Sequence, residues 1–114
     1  MGMTPMLPVL QGFLKVSTER QQLVATNMAN VDTPGYHTKD VNFQAAMRHA
    51  LSEDQGIEFE PASNDVMNLP ERPDGNNVNI DRESMVMSQT QLQYQMGVQL
   101  IKAEFHRLFV AMKD

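Results

Sequence analysis

A chain of 114 residues has the length of one domain, and its 41% hydrophobic and 6% aromatic content, without Trp, gives it a modest stock of core material. Nine Lys and Arg against fourteen Asp and Glu leave −5, with no basic cluster that would suit a phosphate backbone, so a nucleic-acid role is excluded. No apolar run reaches the roughly 20 residues of a bilayer span, and zero Cys rules out disulfides, thiol nucleophiles and thiolate zinc sites. The negative charge is local. Residues 1–40 and 80–114 each balance, whereas Arg48 and Arg72 face Glu53, Asp54, Glu58, Glu60, Asp65, Glu71 and Asp74 in the middle.

The N-terminus, MGMTPMLPVL, lacks a basic n-region and a long apolar h-region, so no cleavable secretory signal is expected; Met6 in place of Ser or Thr argues against myristoylation. Leu10, Phe13, Leu14, Ser17, Val24, Ala25 and Met28 follow the spacing of one helical face and predict a helix over about 8–29, with Pro5 and Pro8 suited to its start. Gly12 and Val16 weaken its N-terminal half. Asn30 is placed to stop it in a left-handed conformation. Thr33-Pro34-Gly35-Tyr36 then fits a type II turn, with Pro setting φ at the second position and Gly supplying the positive φ at the third.

Phe43, Ala46, Met47, Ala50 and Leu51 suggest a short helix within 41–51. Residues 52–79 hold three prolines, several Asn and most of the acids, a composition that predicts an irregular and mobile connector. Asp74-Gly75 and Asn76-Asn77 are turn signals leading into Val78–Ile80. Asp81 stands where an N-cap would, ahead of a helix of roughly 30 residues. In that helix Tyr94, Val98, Ile101, Phe105, Leu108 and Met112 alternate steps of four and three, the spacing of a coiled-coil seam. A second stripe of Met85, Leu92, Met96, Leu100 and Phe109 widens the apolar face.

So broad a face must pack on something, and the shorter first helix covers only part of it. Either the rest is solvated or other chains complete the packing; the second alternative is preferred. The expected fold is mainly α: N-terminal and long C-terminal helices pack as a coiled-coil-like hairpin, joined by an irregular acidic connector. The segments are 1–36, 37–79 and 80–114, with both helices in one domain.

Chemistry is hard to find. His37, His49 and His106 share no metal-ligand spacing, and the middle-zone carboxylates do not follow an EF-hand pattern. There is no phosphate-cradling Gly arrangement and no nucleophile elbow. No catalytic, cofactor or metal site is expected, and an enzyme is not. The ten Met read as gap-fillers at helix interfaces rather than a promiscuous groove. Gln89, Gln91, Gln93, Gln95 and Gln99 either pair across subunits or are solvated helix formers.

The segment ATNMANVDTPGY, residues 25–36, resembles the A-x-N-x-A-N-x-x-T-P-G-Y signature of bacterial flagellar rod and hook proteins, matching at Ala25, Asn27, Ala29, Asn30, Thr33, Pro34, Gly35 and Tyr36. The Asp74–Val78, Asp81–Glu83 and Leu92–Gln95 segments resemble the proximal rod type within that family. The resemblance implies a structural subunit of the basal-body rod, which assembles helically into a torque-transmitting drive shaft around the export channel. It implies export by the flagellar type III apparatus without a cleaved signal, and a periplasmic position in the rod. The implied partners are copies of itself, other rod proteins, and basal-body adaptor and export-gate proteins. No cofactor, nucleic acid or membrane insertion is implied.

The expected subunit interface is Leu10, Phe13, Leu14, Val24 and Met28 on the first helix, with Tyr94, Val98, Ile101, Phe105, Leu108 and Met112 on the last. Thr33–Tyr36 would fix the angle at which the connector leaves. A free chain that cannot bury both faces is expected to be partly unfolded. The alternative is a helical adaptor that binds one partner without polymerising.

Overall fold

The computed structural model describes residues 6–50 and 63–113. Leu51, and the acidic stretch up to residue 62 that was expected to be irregular, lie outside the described residues, as do Pro5 and the segment before it. Five elements follow in chain order: α1 (Met6–Ala29), β1 (Lys39–Val41), α2 (Phe43–Ala50), β2 (Ser63–Asp65) and α3 (Ile80–Lys113).

α1 and α3 are the two long helices that apolar periodicity predicts, and they pack against each other. Pro8 falls in the first turn of α1, where a missing N–H leaves no bond unmade. Gly12 does not break the helix and is buried within it. Asn27 of α1 meets Glu83 near the start of α3, and Phe13 and Leu14 meet Gly97 further along, so the helices run antiparallel. At 1.5 Å per residue that register puts Met6 level with about residue 105, and the last two turns of α3 run roughly 12 Å past it. The molecule is accordingly elongated, 66 × 26 × 17 Å with a radius of gyration of 17.4 Å. A globular chain of this length has about 13 Å.

Two capping expectations need correction. Asn79, not Asp81, caps α3: its Oδ1 accepts from Arg82 N (3.0 Å) and its carbonyl accepts from Glu83 N (3.0 Å). Asp81 lies in the first turn, where its charge still favours the helix N-terminus. Asn30 does not take the left-handed conformation, since among the described residues Asn68 alone of the non-glycines has positive φ. It ends α1 through its side chain instead, with Nδ2 donating back to Thr26 O at 2.8 Å. Val31 N to Met28 O and Thr33 N to Asn30 O then tighten the exit into successive turns. The Thr33–Tyr36 turn forms as the residues dictate, with Tyr36 N donating to Thr33 O (3.2 Å) and Gly35 at φ 76°.

The connector is irregular, as expected, apart from a short strand pair. Specific pairings nonetheless hold residues 63–79 against the rest of the chain. β1 and β2 form an antiparallel pair with Lys39 opposite Asp65 and Val41 opposite Ser63. The 72–75 turn lies against the 33–36 turn, and Gly35 N donates to Asp74 O at 2.9 Å. A Cβ on Gly75 would stand 3.3 Å from Gly35 Cα, and Gly75 itself has φ 86°, so this contact requires glycine. Asn76, Asn77 and Val78 are buried. Among the described residues one apolar cluster is formed by Val16, Val41 and Ala46, with Leu23, Phe43 and Met47 packed around them, and Leu7, Leu10, Val24, Val78 and Val86 are buried as well.

Candidate functional site

Two regions stand apart from this scaffold. The first is a polar node at the connector end of the helix pair. Asn27 is fully buried on α1, and its carboxamide makes four hydrogen bonds. Nδ2 donates to Lys39 O (2.8 Å) and to Glu83 Oε1 (2.9 Å), while Oδ1 accepts from Tyr36 Oη (2.9 Å) and Lys39 N (3.1 Å). Burial raises the Tyr36 phenol above its ordinary pKa, which keeps it a donor.

Glu83, fully buried, also accepts from Arg82 Nη1 at 2.7 Å. Arg82 Nη2 and the paired Nε and Nη2 of Arg20 converge on the Asp40 carboxylate at 2.7, 2.9 and 3.0 Å. Burial alone would raise the Asp40 pKa, but the hydrogen bonds from Arg20 and Arg82 outweigh it and hold the carboxyl below its usual value. Arg20, Asp40, Arg82 and Glu83 thus form a charge-balanced chain across α1, β1 and α3. A second asparagine completes the node. Asn76 Nδ2 donates to Asn30 O (2.9 Å) and Thr33 O (2.8 Å), and Asn77 Oδ1 accepts from Thr38 N (2.7 Å). Arg72 adds a bond to Val31 O.

The second region is the outer surface of α3. Nine of the eleven exposed large hydrophobic residues among those described lie on this helix. Its buried positions after Val86 are Thr90, Gly97 and Glu104, small or polar residues, while its larger apolar side chains lean outward. Met85, Leu92, Met96 and Leu100 run along one side, and a shallow depression of about 480 Å³ is lined by Leu92, Gln95, Met96, Gln99 and Leu100. At about 100° per residue, Phe105, Phe109 and Met112 lie on the opposite side, so apolar surface wraps the overhanging end. Residues 84–101 carry no charge.

The predicted interface residues divide by depth. Leu10 and Val24 are buried inside the chain; Phe13, Leu14, Met28, Tyr94, Val98, Ile101 and Leu108 are half-buried along the helix pair; Phe105 and Met112 are exposed. The second stripe is the more exposed of the two. The signature also divides. Asn27 and Tyr36 turn inward to the node and Asn30 joins it through its carbonyl, whereas Ala25, Ala29, Thr33, Pro34 and Gly35 are exposed. His37 pairs with Glu71 at 2.9 Å on the surface, and among the described residues no group of three or more acidic or His side chains could hold a metal.

No protein-family model matches the sequence. Curated relatives do. The flagellar basal body rod protein FlgB of Agrobacterium fabrum is 30% identical over 110 residues, covering 80% of this chain and 79% of that protein. The chain belongs to the FlgB family of flagellar basal body rod proteins. The FlgB of Salmonella typhimurium is 29% identical over 114 residues (82% of this chain, 83% of the relative), and that of Bacillus subtilis 27% over 111 (87% and 86%). Membership makes this chain a basal-body rod component.

Within the FlgB-family chain, the sequence locates the signature but not its partner Glu83, nor Arg82, Asp40 and Arg20, which continue the chain of ion pairs from Glu83. Asn27 and Glu83 are 56 positions apart. A buried-capable acid beside an Arg at the start of a helix is the one local signal.

Proposed function

We propose that this protein is a structural subunit of the proximal rod, which assembles helically with copies of itself and other rod proteins into the drive shaft around the export channel. One observation carries the proposal: beyond Val86 the buried positions of α3 are the small or polar Thr90, Gly97 and Glu104, while nine large apolar side chains of the helix, Leu92, Met96, Leu100 and Phe105 among them, are exposed. A chain selected to fold alone would place them the other way round. Repeated contact of one such surface with a different surface on the next copy generates an open helical assembly rather than a closed ring of two. The uncharged span 84–101 suits close packing of many like helices, because no net charge accumulates along it.

The half-buried seam Tyr94, Val98, Ile101 and Leu108, with Phe13, Leu14 and Met28, would shape the hairpin edge that a neighbour meets; Phe105 and Met112 would enter the neighbour directly. Adaptor and export-gate proteins would contact the end of the rod nearest the membrane. Export through the flagellar type III apparatus, without a cleaved signal, is part of the same reading.

Leu100→Asp and Phe105→Asp, placed in the source bacterium at the native locus, test the proposal. Both side chains are more than half exposed, so the isolated variants should keep wild-type helicity while swimming is lost and rods fail to form. Normal swimming of both variants would refute the interface.

A further inference from the structure

The node gives the signature a task that the assembly reading does not supply. A primary carboxamide has two N–H donors and two acceptor lone pairs on its oxygen. Asn27 uses all four, on partners from the turn, β1 and α3, in a site with no solvent exposure. Two of the four go to the backbone N–H and C=O of one residue, Lys39. In an antiparallel pair successive residues direct these groups to opposite edges. Thr38 O is turned toward β2, where it accepts from Val66 N at 2.9 Å, and Lys39 is turned away. The Asn27 carboxamide therefore occupies the free edge of β1 as a third strand would.

We propose that Asn27 is the central member of an intrachain lock, which fastens β1, β2 and the 33–36 turn to the helix pair in one orientation within a single chain, before any neighbour is met. Tyr36 closes the lock from the turn and Glu83 from α3. Asn76 fastens the 72–78 turn to the end of α1 through Asn30 O and Thr33 O. The angle at which the connector leaves the helices is then set by buried hydrogen bonds, with the Pro-Gly turn only allowing the reversal. Asn27 has no bonding capacity left for an adjacent subunit. The lock stands on the geometry of one chain, so its failure would leave the rod reading untouched, and the reverse holds as well.

The absence of Cys makes the test direct. Met67→Cys, 75% exposed beside β2, and Gln91→Cys, exposed on α3, carry a spin-label pair on the full chain, and pulsed electron resonance reads the distance distribution in the monomer. The unsubstituted node should give one narrow distribution. Asn27→Asp keeps the shape but turns an acceptor toward Lys39 O and Glu83 Oε1; it should widen the distribution on the order of two-fold with little loss of helical circular dichroism. Tyr36→Phe, which removes one bond of the four, should widen it less. If Asn27→Asp loses its helical signal, Tyr36→Phe decides, and an unchanged distribution in that variant overturns the proposal. A narrow distribution in Asn27→Asp would overturn it too, as would a broad one in the parent protein that narrows only in assembled rods.

Discussion

At Gly97 α3 lies directly against Phe13 and Leu14 of α1, and replacing it separates two accounts of the helix pair by sign alone. In an exposed helix, Gly→Ala stabilises by about 1 kcal/mol through propensity. Here an added Cβ would stand 2.7 Å from Leu14 Cδ2, 2.9 Å from Phe13 Cδ2 and 3.2 Å from Phe13 Cε2, all inside ordinary contact. The Leu14 methyl is the end of a flexible side chain and can swing away cheaply. The Phe13 ring cannot, because it meets Phe43 of α2 edge-on, with centroids 5.4 Å apart at 74°. Moving it sacrifices part of an aromatic contact worth about 0.5–1.5 kcal/mol, and overpacking costs about 1–3 kcal/mol. Against the propensity gain, Gly97→Ala should destabilise by about 1 kcal/mol, and Gly97→Val by about 3. Urea unfolding followed at 222 nm measures both. In a Phe13→Ala background, where the stiff neighbour is gone, the Gly97→Ala penalty should vanish or reverse. A stabilisation of about 1 kcal/mol in the otherwise wild-type chain would mean that α1 and α3 are not apposed there, and would refute the packing argument.

Three other outcomes follow from the same structure. Asp40 has a depressed pKa when folded, so its contribution is fully present above the ordinary carboxylate pKa of about 3.9 and is lost as pH falls through the lower folded value; Asp40→Asn should lose about 2 kcal/mol at pH 7 and show a flatter acid limb in a stability-against-pH series. Amide exchange along α3 should rise steeply towards its C-terminus, with amides beyond Val98 exchanging on the order of 100-fold faster than those near Glu83, because no apolar residue of the helix after Val86 is buried; uniform protection to Met112 would contradict this. Association through the uncharged 84–101 span should change little between low and roughly half-molar salt, whereas a strong loss of assembly would point to an ionic interface, as read by sedimentation.

How much of this was legible in the sequence depends on the distance over which each feature is specified. α1 and α3 are written in local apolar spacing over many turns: α1 starts two residues before its predicted start and ends where predicted, and α3 runs 34 residues where roughly 30 were expected. The Thr33–Tyr36 turn is specified by Pro34, whose ring fixes φ, and by Gly35, which reaches the positive φ of the next position without steric cost. β1 and β2 are three residues each, Lys39-Asp40-Val41 and Ser63-Asn64-Asp65, too short and too polar to show an alternating pattern. The cap of α3 was displaced by two residues because Asn79 and Asp81 are both good caps, and tertiary position chose between them. The node was invisible for a different reason. Its members come from α1, the turn, β1 and α3, and only folding shows that a single carboxamide joins them. Exposed stripes are legible as periodicity, but which of two stripes faces α1 is decided by the small residue at Gly97 and by Thr90, and a hydrophobicity pattern gives such positions little weight.

The opening charge balance also gains a structural meaning. Glu71, Asp65 and Asp74 of the acidic middle lie on the exposed connector beside His37, Lys39 and Arg72, away from the uncharged α3 surface. The excess charge therefore sits on the connector, and the neutral helices are left to pack.

The most direct test of the central claim is a side-chain-resolved density map of the assembled basal body in the source bacterium. The account predicts that Leu92, Met96 and Leu100 of this subunit are buried against helices of neighbouring rod subunits. A map in which that face of α3 lines solvent, with neighbours held only through the connector, would contradict it.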